Sequence, residues 1–435
     1  MTAARLIVVS NRVPAAGSAR TSVGGLVAAL RPALEERGGV WFGWSGAADD
    51  DPDELTHRLE GTIEFVTCDL TAKEIAGYYE GFCNRTLWPL MHGLAERAEV
   101  RAGDYADWRA VNARFAALLV PMLQPSDIVW VHDYHLVPLG LELRSAGWRG
   151  RTGYFHHIPI PERREWAAIP QHGEVAACLA AYDLTGVQTA RDASRLRSYL
   201  EPGAGARVRA FPIGIDPERM RRLAGRHPGD PFEARARRQV LLGLDRLDYT
   251  KGIPDRLRAF ERLLERRPLL QREALLVQWS APSREGIPDY RAERLLVDSL
   301  AHRLGALATP SPVEARNEVL PAETVAAALR DADVCLVTSR SDGMNLVAKE
   351  YVAVQRPESP GVLVLTDGCG AAEELRDALI VPSGDLDAIA DGMERALAMP
   401  LEERQARWRG LSEAVEAGDV SGWCRGYLDA LAGGA

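Results

Sequence analysis

Residues 240–264 read Val240-Leu241-Leu242-Gly243-Leu244-Asp245-Arg246-Leu247-Asp248-Tyr249-Thr250-Lys251-Gly252-Ile253-Pro254-Asp255-Arg256-Leu257-Arg258-Ala259-Phe260-Glu261-Arg262-Leu263-Leu264. Val240 to Leu244 is a short apolar run of the kind that parallel sheets bury. From Ile253 the apolar residues fall at helical spacing, and Pro254 suits a first turn. The stretch is therefore strand, loop, helix. The loop lies at a strand's carboxyl end, where open α/β sheets bind ligands. Arg246 and Lys251 sit in that loop, five residues apart, beside a helix start. Two cations at a helix start form a receptor for phosphate. In isolation, two solvated loop cations would read the same way.

Lys251 is also one of only three lysines, with Lys73 and Lys349, among 52 lysines and arginines. A lysine kept in so arginine-biased a chain marks a place for a compact ammonium rather than a planar guanidinium.

The same alternation runs through the 435 residues, a length that implies two or three domains. Hydrophobic residues make up 46%, enough for sizeable cores. The net charge of −9 gives no overall basic field for nucleic acid or an anionic membrane, so any anionic ligand must meet local cations. Six cysteines (Cys68, Cys83, Cys178, Cys335, Cys369, Cys424) are scattered without a CxxC spacing, which predicts reduced thiols in a cytoplasm. The apolar run Leu6 to Val9 ends at Ser10-Asn11-Arg12, too short for a signal peptide, and no apolar stretch approaches a membrane span.

In the first half, Leu6 to Val9 is a strand, and Ser22-Val23-Gly24-Gly25-Leu26 opens a helix to about Glu36. The Gly24–Gly25 pair would let backbone approach a ligand. Val40 to Trp44 is another strand. Thr71 to Tyr79 reads as a helix, with Thr71 and Glu74 as a capping box. Tyr78 to Leu90 is dense in aromatics, a composition that fits either a core or a sugar site. Ile128 to Val131 is a buried strand ending in His132-Asp133-Tyr134-His135, whose carboxylate and imidazoles suit sugar hydroxyls. His132 and His135 lack a further ligand cluster, so no metal site is expected.

In the second half, strands are expected near 239–244, 274–279, 333–337 and 361–365. Helices are expected near 253–266, 289–304, 322–331, 345–354 and 385–398. Asp342-Gly343-Met344-Asn345-Leu346-Val347-Ala348-Lys349-Glu350 places a glycine turn before a helix whose first N–H groups are free for an anion. Glu350 follows two turns along. Gly368, Gly370, Ala371 and Ala372 repeat that logic, with Glu373 and Glu374 beginning a helix. An ordinary capped helix with a solvated Glu350 is the plainer alternative. The architecture expected is α/β: two doubly wound Rossmann-like domains, 1–216 and 217–415, facing across a cleft. A last helix in 416–435 packs back on the first domain.

Several long segments carry a resemblance over nearly the whole chain. They are SNRVP, WFGWSG, YYEGFCNRTLWPL, VWVHDYHLVPL, HIPIP, DLTGVQT, FPIGID, LDRLDYTKGIP, VQWSAPSR, DGMNLVAKEYVA and GAAEEL, in order. On these the chain resembles the trehalose-6-phosphate synthases, retaining glycosyltransferases of the GT-B architecture grouped as glycosyltransferase family 20. The resemblance implies glucose transfer from a nucleotide-glucose, UDP-glucose foremost, to glucose 6-phosphate. It implies that Arg246 and Lys251 hold the pyrophosphate, which Gly24 and Gly25 also approach. Asp342, with Gly343 and the backbone of Met344, Asn345, Leu346 and Val347, would meet the donor. Glu350 would bind its ribose, His157 its sugar, and Leu320 would fall in the base pocket. Asp133 would contact the acceptor sugar, and Arg12, Tyr79, Trp88 and Arg284 would cradle the acceptor phosphate. The resemblance implies no cofactor. It leaves room for stimulation by a divalent cation without a protein metal site, and for a homo-oligomer.

The chain departs from the family pattern in having Ser341, not arginine, directly before Asp342-Gly343; Arg340 stands one residue earlier. A relative with another acceptor, such as a glucosylglycerol-phosphate synthase or a pseudo-glycosyltransferase, shares the scaffold. A silent sugar-phosphate sensor is the non-enzymatic alternative.

Overall fold

In the computed structural model, residues 4–15, 25–51, 53–200, 207–227, 229–232 and 235–433 are described. They form two compact units. One holds the N-terminal segment, Leu26–Ile213 and the chain from Ser421; the other holds Gly214–Val420 together with Gly25. The boundary read at 415 falls inside a helix, Leu401–Ala417, and the chain changes unit only after it.

The first unit is built on eight strands: β1 Leu6–Arg12, β2 Gly39–Ala48, β3 Thr56–Glu60, β4 Ile63–Leu70, β5 Ile128–His132, β6 Arg151–Phe155, β7 Leu184–Val187 and β8 Arg207–Ala210. Their order is β3-β4-β2-β1-β5-β6-β7-β8. All neighbours are parallel except the edge strand β3, which runs antiparallel to β4. β3 has no apolar alternation to mark it, because Thr56-His57-Arg58-Leu59-Glu60 is mostly polar and largely exposed. Central strands such as β5 are buried throughout. The final helix, Val420–Ala432, lies on this sheet. Tyr427 stacks on Trp130 at 4.5 Å, and its hydroxyl lies 3.1 Å from the carbonyls of Tyr154 and Leu184. Gly153 makes that approach possible, since a Cβ there would come within 2.3 Å of the Tyr427 hydroxyl.

The second unit has six parallel strands: β9 Gln239–Arg246, β10 Ala274–Ala281, β11 Val313–Arg316, β12 Val334–Val337, β13 Val362–Thr366 and β14 Leu379–Val381. Their order is β11-β10-β9-β12-β13-β14. The Ile253–Arg266 helix buries Ile253, Leu257, Phe260, Leu263 and Leu264 in one cluster with Leu241, Val364 and Met393. Each such side chain contributes about 2 kcal/mol on leaving water. The short strands β11 and β14 were absent from the sequence reading, having four and three residues.

The capping box at Thr71–Glu74 is present. The helix it opens does not stop near Tyr79, however. It continues as a wide π-helix, Ile75–Leu87, in which the Trp88 N–H reaches back to the Cys83 carbonyl. Such turns are rare and concentrate at functional sites.

Candidate active site

In each sheet, chain order reverses direction at one pair of neighbouring strands, β9 and β12 in the second unit, β1 and β5 in the first. Crossovers leave such a pair towards opposite faces, so a crevice opens at the strands' carboxyl ends. The loops after these four strands carry most of the residues singled out above.

After β9, Asp248 folds the loop by accepting from Thr250 N–H and its hydroxyl, at 3.1 and 3.0 Å. Gly252 then turns with φ 65°. A Cβ there would lie 2.3 Å from the Thr338 carbonyl, so the loop sits directly on the one following β12. Arg340 N–H donates to the Thr250 carbonyl at 2.8 Å, fastening the two together. The result puts Lys251 Nζ 2.5 Å from Asp342 Oδ2, with 12% and 15% of the side chains exposed. The same carboxylate oxygen accepts from Asn345 Nδ2 at 3.1 Å and Ser339 Oγ at 3.4 Å. Arg246 ends β9 with its side chain exposed.

Asn345 has φ 76° and begins the Leu346–Val354 helix, which has neither a side-chain cap nor an acid in its first turn. Its opening N–H groups and dipole therefore favour an anion. Met344 and Gly343 are buried beneath. Glu350 is only 3% exposed. Burial pushes its carboxyl up to about 7, against a smaller opposing pull from Arg219. The alternative of a solvated Glu350 is thus excluded.

The segment 368–374 differs from its reading. Gly370 N–H donates to the Asp342 carbonyl and Ala371 N–H to that of Met344, at 3.0 and 2.9 Å. These amides brace the Asp342 loop and are spent there. Gly370–Glu373 is one 3₁₀ turn rather than the start of a helix. Arg340 pairs with the buried Asp255 through two contacts of 2.6 and 2.9 Å. Leu320 is half-buried in the loop before the Ala322–Asp331 helix. Lysine scarcity alone proves a poor guide. Lys349 is buried against Glu374 at 2.6 Å, and Lys73 is 83% exposed.

Arg284 also belongs to the second unit. It adopts φ 47° and donates to the Tyr290 hydroxyl and, at 3.5 Å, to Asp248 Oδ2; Tyr290 in turn donates to that oxygen at 3.2 Å. Asp248 and Tyr290, neither singled out from sequence, thereby tie Arg284 to the loop that carries Lys251.

In the first unit, the Arg12 guanidinium lies 4.4 Å from the Trp44 ring and 5.5 Å from that of Tyr79. Tyr79 in turn stacks on His135 at 6.1 Å. Asn84 on the π-helix donates to the Tyr79 carbonyl and accepts from Tyr134, at 2.7 and 2.8 Å. Trp88 is 4% exposed and packs on His92 and Tyr134 at 4.2 and 5.7 Å. It forms the layer behind the site's aromatic wall. The aromatic segment is therefore both core and site, divided residue by residue.

Asp133, after β5, has φ 74° and ψ 163°, a conformation that costs a non-glycine residue about 1–3 kcal/mol and that clusters at functional sites. Its Oδ1 accepts from Tyr134 N–H at 3.0 Å and His157 N–H at 3.4 Å. His157 Nε2 lies 3.1 Å from His132 Nδ1, and Nδ1 lies 3.4 Å from Gln188 Nε2. Ile213 N–H donates to Gln188 Oε1 at 3.0 Å, which leaves Gln188 only its NH₂ to offer. His157 Nδ1 must accept it, and the proton resides on Nε2. Burial holds His157 at about 3 and His132 well below its usual value, so both imidazoles are neutral. Gln188 was visible in DLTGVQT but carries no charge to draw attention. Gly25 opens the Gly25–Arg37 helix; Gly24 lies outside the described residues.

Among the described residues, no three His, Cys, Asp or Glu side chains are grouped to hold a metal ion, and no helix is long and apolar enough to cross a membrane.

The family model for glycosyltransferase family 20 matches residues 4–433. The chain is 39% identical to the trehalose-6-phosphate synthase of Sinorhizobium fredii, with 98% of each chain covered. Its fold is similar to an α,α-trehalose-phosphate synthase (UDP-forming) from Burkholderia xenovorans, solved in complex with glucose-6-phosphate (TM-score 0.93, 38% identity, 99% of this chain and 100% of that one). It is similar also to an Escherichia coli structure bound with UDP-2-fluoro glucose (TM-score 0.93, 34% identity, 98% and 99% covered). With this match along its length, the chain belongs to glycosyltransferase family 20.

Proposed function

We propose that this chain transfers glucose from a nucleotide-glucose, UDP-glucose foremost, to glucose 6-phosphate. The products are α,α-trehalose 6-phosphate and a nucleoside diphosphate, with anomeric configuration retained. The observation that carries this reading is the Lys251–Asp342 pair beside the uncapped start of the Leu346–Val354 helix. A bound pyrophosphate would take Lys251, Arg246 and the opening N–H groups of that helix. Asp342, relieved of the ammonium, would then accept from hydroxyls of the donor glucose, with Met344 and Asn345 beside it. Glu350 would hold the ribose hydroxyls, Leu320 would flank the base, and Gly24 and Gly25 would approach the phosphates.

Retention needs no enzymic nucleophile when the acceptor attacks from the leaving group's own face. The barrier then falls through orientation and through charge preorganised for the departing diphosphate. The leaving phosphate oxygen takes the acceptor's proton. His157 would meet the donor sugar by giving up its 3.1 Å contact with His132 and turning its Nε2–H to a sugar hydroxyl, a change that needs no titration of the neutral imidazole. Asp133 would orient the attacking hydroxyl, and Arg12, Tyr79 and Arg284 would meet the acceptor phosphate, with Trp88 supporting them from behind. No resident metal is part of the proposal, since Arg246 and Lys251 supply cationic charge at the leaving group. Chelation by EDTA should accordingly leave most of the turnover intact. The proposed compartment is the cytoplasm, supported by six cysteines without a disulfide.

Lys251→Ala should lower kcat by roughly 10²–10³-fold, the usual cost of removing one preorganised transition-state contact, while circular dichroism stays unchanged. Near-normal turnover would sink the role. Crossing UDP-, ADP- and GDP-glucose with glucose 6-phosphate and glycerol 3-phosphate identifies the preferred pair. Preference for glycerol 3-phosphate would replace the acceptor.

A further inference from the structure

The carboxyl ends of the first sheet carry the residues described above. Its other end holds a second concentration of charge. Arg151 begins β6, Arg207 begins β8, and Asp183 immediately precedes β7 between them. With Arg144 and Arg149, these residues line a depression of about 570 Å³ floored by Ala180, Ala181 and Tyr182. Four arginines against one aspartate make a local positive field on a chain whose net charge is −9. Pockets of several hundred cubic ångströms are the size that takes a small metabolite.

Three of the four guanidiniums, those of Arg144, Arg149 and Arg207, are held rather than loose. Arg144 donates to the Gly150 carbonyl at 2.7 Å and to Asp183 at 3.1 Å. Arg207 donates to the carbonyls of Asp183 and Ala430, at 3.3 and 3.1 Å. Arg149 uses only Nη1, on the carbonyls of Arg144 and Trp148 at 2.7 and 3.0 Å. These bonds spend part of each fork and fix its plane. Among the described residues, the Nε and Nη2 groups of Arg149, Nη1 of Arg207 and the side chain of Arg151 have no hydrogen-bond partner. Carbonyls position such forks without neutralising them. Free, preoriented guanidinium edges match phosphate oxygens in pairs.

We infer that this depression is a second anion site, built for a compact, multiply charged phosphate compound and separate from the donor and acceptor positions. β6 separates Arg151 from His156 by five residues and from His157 by six, roughly 16–20 Å of extended chain. The inference therefore does not rest on the proposed transfer reaction.

Inorganic triphosphate is the probe, with binding followed by calorimetry at low ionic strength. An Arg246→Ala/Lys251→Ala protein removes the cations of the candidate donor site. It should still bind one triphosphate per chain. Adding Arg149→Gln/Arg151→Gln should weaken that binding at least tenfold and leave the circular dichroism unchanged, since both side chains are exposed and the bonds given up are those of Arg149 to the nearby carbonyls of Arg144 and Trp148. Those two substitutions alone should not alter glucose transfer. Loss of all binding once Arg246 and Lys251 are gone would overturn the site. So would equal affinity with and without Arg149 and Arg151, or equal competition by sulfate at matched ionic strength.

Discussion

Glu350 shows how a single side chain links burial, stability and ligand binding. Its carboxyl titrates near 7 in the folded chain against an ordinary value of 4.5. The folded state therefore binds this proton more tightly than the unfolded state does. The stability tied to this group is complete below the ordinary value and is lost as pH rises towards 7. Glu350→Gln should consequently be more stable than wild type at pH 8, by about 3 kcal/mol, with the difference shrinking to little at pH 5. Urea unfolding at the two pH values measures this; a pH-independent difference would contradict it. Wild-type affinity for the donor should improve through the same interval, because a carboxylate accepts from ribose hydroxyls better than a neutral acid. Charge and motif made Arg246, Lys251, Asp342 and Glu350 legible in the sequence. Asp248, Tyr290 and Gln188 escaped notice because their work is to orient other residues, and that depends on chain segments brought together only by folding.

At the scale of elements, the loop after β9 depends on one glycine. Gly252 needs a left-handed turn and sits against the Thr338 carbonyl. Gly252→Ala should destabilise the second unit by about 1–3 kcal/mol and lower transfer at least tenfold by displacing Lys251, since both strain and overlap act there. Calorimetry and a transfer assay check it, and unchanged activity would show that the loop position does not matter. Elements with strong period or apolar runs were readable. The Ile253–Arg266 and Leu346–Val354 helices match their sequence expectation closely. The π-helix Ile75–Leu87 was not, because its helix start is normal. The wide turns arise downstream, where Gly77 and Gly81 press against Asp107 and Asp104 of the Ala102–Leu119 helix. The segment 368–374 misled for a related reason. Glycines that could have served an anion instead supply amides to the neighbouring Asp342 loop.

At the scale of the molecule, two sheets of the same winding each present their reversal point with chemically loaded loops, one rich in cations and one in aromatics and imidazoles. All six cysteines are buried and none forms a disulfide. Burial pushes the Cys68 and Cys369 thiols up to about 12 and Cys178 to about 11. A thiol reagent should therefore react slowly with the native protein and quickly with six groups in denaturant; rapid modification of the folded chain would contradict the packing. The central claim is retaining glucose transfer to glucose 6-phosphate, driven by leaving-group stabilisation. Proton NMR of the product made from UDP-glucose and glucose 6-phosphate tests it most directly. The account predicts a non-reducing disaccharide phosphate with two α-anomeric protons, formed without an added metal. A β-linked product, or hydrolysis of UDP-glucose without transfer, would contradict it.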